Sequence, residues 1–132
     1  MFRPNDSCED VTGGWSIDDT GNEKVTYGEV LTITSVNYYN YSRGEGIYTN
    51  NTIDLTNYNT LLATCYATGG SEQQVVISDQ GIAEASVSIG TTLNTVTLDI
   101  SKFSGPYKIG FHAYHSNYAT VTYTASEIKL IP

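Results

Sequence analysis

Basic residues are few. Six lysines and arginines face fourteen acids in 132 residues, for a formal charge of −8. A phosphate backbone approaching this chain meets repulsion and no basic stripe to offset it, which sets nucleic acid aside as a partner. An anionic membrane surface is disfavoured on the same ground. Long apolar runs are missing too. No window approaches the roughly 20 apolar residues of a membrane span, so no membrane insertion is expected. The opening MFRPNDSCED lacks the apolar core of a signal peptide. The chain therefore reads as made and folded in a cytosol, or as a piece of a larger protein.

Cysteine and histidine occur twice each. Cys8 and Cys65 have neither CxxC spacing nor ligand-like neighbours, which argues against zinc. Cys65 in LLATCYAT alternates in phase with Leu61, Ala63 and Ala67 and reads as a small core residue. A Cys8–Cys65 disulfide stays open for a protein that matures outside a cell. His112 and His115 stand three apart, so on a strand they point to opposite faces and cannot form one metal clamp. There is no G-x-S-x-G elbow, and neither cysteine has a histidine near it in sequence. Catalytic residues, metal ligands and cofactors are therefore not expected, with one exception left open. DDTGNE, Asp18 to Glu23, offers hard oxygens to a structural calcium ion but lacks the spacing of a known calcium loop. The other acids sit in turn-like stretches and read as solvated. A carboxylate pair for glycoside hydrolysis meets only in three dimensions, and none is nominated. Sequons at Asn5, Asn40 and Asn50 carry little weight in an Asn-rich chain.

What the chain has in abundance is alternation. In GEVLTITSV, Leu31 and Ile33 share one face and Thr32 and Thr34 the other. ASVSI repeats the pattern with Ala85, Val87 and Ile89, TVTLDIS with Val96, Leu98 and Ile100, and YKIGFHAYH with Tyr107, Ile109, Phe111 and Ala113. Period two is the mark of a half-buried strand. TGGWSI, GIYTN running toward TIDL, LLATCYA, QQVVIS, ATVTYT and SEIKLI read as further strands. Turn signals such as TGG, SDQG, IGTT, FSGP and TNY fall between them at the ~8–12-residue spacing of a sandwich or barrel. Charged residues make up only 15% of the chain, and Thr, Ser, Asn, Gly and Tyr take their place, which favours strands and turns over helices. The expectation is a single all-β domain over residues 1–132, an antiparallel β-sandwich wound as a jelly roll of about eight to ten strands. Residues 1–10 are open to reading as an extended N-terminal arm.

Tyrosine is the other surplus, eleven in all, more than a core of alternating aliphatics needs. VNYYNYSRGEGIYTNN, Val36 to Asn51, holds four tyrosines, four asparagines and one arginine beside a Gly-Glu-Gly turn. It reads as an exposed loop bounded by strands. A sugar ring presents an apolar C–H face fringed by hydroxyls, so a site for it wants a flat aromatic rimmed by amide, guanidinium or imidazole groups. Tyr38, Tyr39, Tyr41 and Tyr48 supply the rings, and Asn37, Asn40, Arg43 and Glu45 the rim. HAYHSNY adds His112, Tyr114, Asn117 and Tyr118, with His112 and Tyr114 on one strand face. Both clusters can meet at one end of a sandwich. The candidate ligand-binding residues are therefore Tyr38, Tyr39, Tyr41, Arg43, Tyr48, His112, Tyr114, Asn117 and Tyr118. Two plainer readings compete: cross-strand tyrosines stabilise exposed sheets, and Tyr with Asn also serves protein contacts. Trp15, the one tryptophan, follows two glycines and reads as a core or sheet-edge anchor.

Four phrases, CEDVTGGW, IDLTNYNTLLATCYATG, TLDISKFSGPYKIGFHAYHS and ATVTYTASEIKLI, resemble jelly-roll modules of bacteriophage tail and minor structural proteins. They are also similar to carbohydrate-binding modules of the galactose-binding-like sandwich class. The likeness spans the chain from Cys8 to Ile131 and contains no catalytic fingerprint. It implies a non-enzymatic domain on a virion surface, in a tail or baseplate, made in the host cytoplasm and released with the particle. Its implied partners are a saccharide of a bacterial cell surface, bound during adsorption, and other virion proteins. A homo-oligomer or multi-copy position is expected, since weak sites gain from repetition. The competing expectation is a virion structural or decoration subunit whose tyrosine-rich loops make protein contacts and bind no sugar.

Overall fold

The computed structural model describes residues 9–12, 15, 23–80 and 82–132. Asn5, Cys8, most of DDTGNE and TGGWSI, and most of the 1–10 arm lie outside the described residues. The strands are β1 (Glu9–Asp10), β2 (Glu23–Tyr27), β3 (Leu31–Val36), β4 (Arg43–Tyr48), β5 (Ile53–Asp54), β6 (Thr60–Thr68), β7 (Ser71–Asp79), β8 (Ile82–Ser88), β9 (Asn94–Asp99), β10 (Pro106–His115) and β11 (Thr120–Ile131). They form two antiparallel sheets. One runs β2-β3-β11-β6-β9, with β1 also against β11; the other runs β4-β10-β7-β8, with β5 also against β10. The chain changes sheet at β3–β4, β5–β6, β6–β7, β8–β9, β9–β10 and β10–β11. This is the antiparallel β-sandwich that the alternation predicts.

The inward faces carry most of the predicted aliphatics, joined by Ile47, Val75 and Ile77, while Ala85, Val87, Val96, Leu98 and Tyr107 are only partly buried. Leu31, Ile33, Leu61, Ala63, Cys65 and Ala67 from the six-stranded sheet meet Ile47, Val75, Ile77, Ile109, Phe111 and Ala113 from the five-stranded one, all buried. Phe111 is central: its ring stacks on Tyr123 at 4.9 Å and lies 5.9 Å from Trp15. Trp15 is 1% exposed, a core residue. Burial pushes the Cys65 thiol up to about 11, so it sits as an inert apolar side chain.

Two local features depart from a simple period-two reading. ATVTYT and SEIKLI are one strand, β11, interrupted by a bulge: Ala125 pairs with Cys65 and Glu127 with the adjacent Thr64, leaving Ser126 as the extra residue. The inserted residue shifts the buried set from Val121, Tyr123 and Ala125 to Ile128 and Leu130. The expected Gly-Glu-Gly turn is corrected as well. Gly44, Glu45 and Gly46 lie inside β4, paired to Tyr114, Ala113 and His112, because the ladder to β10 supplies what two glycines lack in strand propensity.

Corners between sheets are built from local chemistry. Gly69 and Gly70 hold φ of 80° and 66° between β6 and β7, and a Cβ on Gly69 would collide with the Thr120 carbonyl. Asp54 Oδ1 accepts from Thr56 Oγ1 at 2.6 Å and Thr56 N at 3.0 Å. Asp99 repeats the device with Ser101, at 2.7 and 2.9 Å.

Phe111→Ala is expected to cost about 3–5 kcal/mol, read as a lower denaturant midpoint. Trp15 emission should move to the red with unfolding, since the indole leaves the core. The Thr56 and Ser101 hydroxyls, then their amides, hold the Asp54 and Asp99 carboxyls below the ordinary 3.8. A depressed native pKa contributes stability that is present above pH 3.8 and lost as pH falls through the lower native value. D54N and D99N should therefore flatten the acid limb of a melting-temperature against pH curve.

Candidate functional site

Strand parity decides what the outer face of the five-stranded sheet presents. Ile47 points inward on β4, and Ile109, Phe111 and Ala113 do so on β10. Their alternates, Gly44, Gly46 and Tyr48 with Lys108, Gly110, His112 and Tyr114, therefore face outward. Register sets Tyr48 opposite Gly110, Gly46 opposite His112 and Gly44 opposite Tyr114. With no side chain at either glycine, the Tyr48 ring lies down along the sheet. A Cβ on Gly46 would stand 2.5 Å from its hydroxyl, and one on Gly110 would collide with its Cδ1. Only glycine allows this flat seat.

Beside it, His112 leans over Gly44, where a Cβ would meet its Cε1 at 2.9 Å. Burial, then the neighbouring His115, lowers the His112 pKa, with Glu72 opposing. At neutral pH it is an uncharged imidazole with one donor and one acceptor. His115 points the other way: it is fully buried, its Nδ1 3.2 Å from the Ala113 carbonyl and its Nε2 without a partner.

At the far end of β10 the two tyrosine-bearing loops meet. Tyr118 N donates to the Tyr39 carbonyl at 3.1 Å, and Asn37 N donates to that of Ala119 at 2.9 Å. Tyr39 and Tyr41 rings lie 5.2 Å apart at 39°, and the Arg43 guanidinium stands 4.4 Å above the Tyr39 ring while pairing with Glu45 at 3.4 Å. Tyr38, Tyr39, Tyr41, Tyr114 and Tyr118 are 43–64% exposed. Tyr38, Tyr39, Tyr41, Arg43, Tyr114, Asn117 and Tyr118 thus gather at one end of the sandwich. His112 lies one step along the outer face and Tyr48 further still, about 13 Å from the Tyr114 level by strand rise.

Asn37 has a different part from the ligand-rimming one its composition suggests. It is 0% exposed. Its Nδ2 donates to the carbonyls of Tyr41 at 2.9 Å and Ser116 at 3.1 Å, and its Oδ1 accepts from Tyr39 N at 3.0 Å. One amide therefore ties both loops together.

Beyond Tyr48 opens a groove of about 610 Å³, lined by Tyr48 and Thr52, by Ser78, Asp79 and Gln80, and by Pro106, Tyr107 and Lys108. Of these, sequence reasoning singled out Tyr48 alone as a ligand residue. SDQG reads as an ordinary turn, and only the pairing of Ser78 with Lys108 across β7 and β10 brings the set together. Among the described residues no group of three His, Cys, Asp or Glu side chains is arranged to hold a metal ion.

No protein-family model and no curated protein matches the chain. Solved structures do match. A family 6 carbohydrate-binding module, in a study of its binding sub-sites, aligns over 95% of this chain and 92% of its own with a TM-score of 0.56 and 17% identity. A family 29 carbohydrate-binding module, a variant complexed with cellulohexaose, aligns over 94% and 90% with a TM-score of 0.58 and 12% identity. At such identities the likeness is one of fold.

Asn37→Ala is expected to lose about 1–3 kcal/mol, because three loop hydrogen bonds lose their partner in a dry site. Hydrogen exchange at the amides of Tyr39, Tyr118 and Ala119 should quicken more than that in the β6 and β11 ladders. Equal quickening throughout would show that the amide stabilises the fold at large and not these loops.

Proposed function

We propose that this protein is a non-catalytic carbohydrate-binding domain of a phage tail or baseplate, one that engages a saccharide of the bacterial cell surface during adsorption. The observation that carries the saccharide reading is the Tyr48 ring laid flat over Gly46 and Gly110. A ring held in the plane of a sheet offers its face to the C–H face of a pyranose at little entropic cost, because its conformation is already fixed. His112 and Tyr114 continue along the same outer face, with an imidazole and a phenol to meet ring hydroxyls, and the paired Tyr39 and Tyr41 stand on the loop beyond. The sandwich likeness to carbohydrate-binding modules, one of them complexed with cellulohexaose, supports the same reading. The phage setting is supported by the resemblance of the strand phrases to tail modules. Presentation in many copies would multiply the avidity of a weak site, and a net charge of −8 suits a soluble appendage that does not cling to nucleic acid.

The purified domain, displayed at high valency on beads, should be retained by host cell-wall polysaccharide and released by free oligosaccharide. Tyr48→Ala should weaken monovalent affinity about tenfold or more, on the scale of an aromatic hot spot, while Tyr48→Phe keeps most of it. A folded domain that binds no cell-surface saccharide at high valency would turn the assignment to a virion structural subunit, with the exposed tyrosines as its protein contacts.

A further inference from the structure

Ser78 sits on the outward face of β7, opposite Lys108 on β10, yet it is only 2% exposed. Ser78 lines the groove beyond Tyr48, and its hydroxyl, closed off from solvent, has no hydrogen-bond partner. A buried hydroxyl left without a partner is costly, and native proteins keep few of them. Ser78 forms part of the wall of a hollow large enough to hold a ligand, so a turn of its side chain about χ1 would bring the hydroxyl to an occupant that supplies the missing bond.

The charges around it narrow the ligand. Lys108 and Asp79 line the same groove, and neither forms an ion pair with another described residue, whereas Arg43 pairs with Glu45 and Lys129 with Glu127. An anionic ligand would meet Asp79 and the field of a chain at −8. A cationic one would meet Lys108. A neutral polyol satisfies both at once: its hydroxyl hydrogens donate to Asp79 and its oxygens accept from Lys108, with the Gln80 amide able to do either. Tyr48 adds apolar wall for a ring face.

We infer that this groove is a subsite for a neutral, hydroxyl-rich sugar unit, a deepening that rests on the saccharide reading above. Lys108 stands six residues from Tyr114 along β10, about 20 Å by strand rise. A ligand that reaches both the groove and the tyrosine loops is therefore an extended oligosaccharide lying along the sheet, with the Tyr48 ring between its two ends.

The test is a titration of the full chain, followed by amide resonances and by calorimetry, with neutral hexasaccharides (β-glucan, mannan and galactan) and a galacturonan of equal length. The neutral ligand that binds should move the resonances of Ser78, Gln80 and Lys108, and galacturonan should not. Ser78→Ala should weaken binding about three- to tenfold while the melting temperature stays level or rises, because an unsatisfied hydroxyl has been removed. A Ser78 of purely structural value would instead lower the melting temperature and leave affinity unchanged, and that outcome overturns the inference. So does a neutral ligand whose affinity falls with Tyr39→Ala or Tyr114→Ala but which leaves the groove resonances unmoved; saccharide binding then stands without this subsite. Preference for galacturonan would overturn the charge argument, and no binding by any saccharide would remove both readings together.

Discussion

Strand β10 is clamped on both flanks, by β4 and β5 on one and by β7 on the other, and the whole candidate surface hangs on the parity this imposes. Ile109, Phe111, Ala113 and His115 are driven inward by the core. Lys108, Gly110, His112 and Tyr114 are thereby turned out. A slip of one residue would put Phe111 into solvent and turn Lys108 toward the core, an exchange of apolar burial for a desolvated charge that the sheet cannot sustain. Core packing and surface chemistry are thus one constraint seen from two sides.

Glycine use follows from the same pairing. Gly46 and Gly110 weaken their strands, yet their positions, diagonal across the ladder and both beneath Tyr48, leave room for an aromatic ring to lie against the backbone. An alanine at either place would lift that ring. The tyrosine loops are handled differently: backbone hydrogen bonds join them, and one buried asparagine ties both together. A rigid ring in the middle and pinned rings at the end give a surface whose shape is largely set before any ligand arrives, which lowers the entropic cost of binding.

Likeness to carbohydrate-binding modules describes layers and strand order, and a sandwich of this kind hosts many activities. What sets this sandwich apart is a few particular groups: a ring on a glycine seat, a buried hydroxyl without a partner, and a lysine and an aspartate sharing one groove. These are features of side chains, and none follows from the backbone fold.

Alternation in TITSV, ASVSI, TVTLDI and YKIGFHAYH was enough to read the sandwich and most of its core, because a strand with one face buried must write period two into its sequence. His112 and His115 on opposite faces, and Cys65 in the interior, were legible for the same reason, whereas Trp15 read equally as a sheet-edge anchor until its burial placed it in the core. The bulge at Ser126 was not: a shift of parity within one strand looks in sequence like two strands. Nor was the strand through Gly44–Gly46, where a composition typical of turns is held straight by its partner. Asn37 showed only that it was polar, since whether an amide rims a site or ties loops together depends on which carbonyls come within reach. The sequence by itself determined which side chains alternate and so what each strand hides. Only the tertiary structure decided which outward residues become neighbours, because Tyr48 with Gly110 and Ser78 with Lys108 are brought together by strand register, over separations at which local sequence exerts no force.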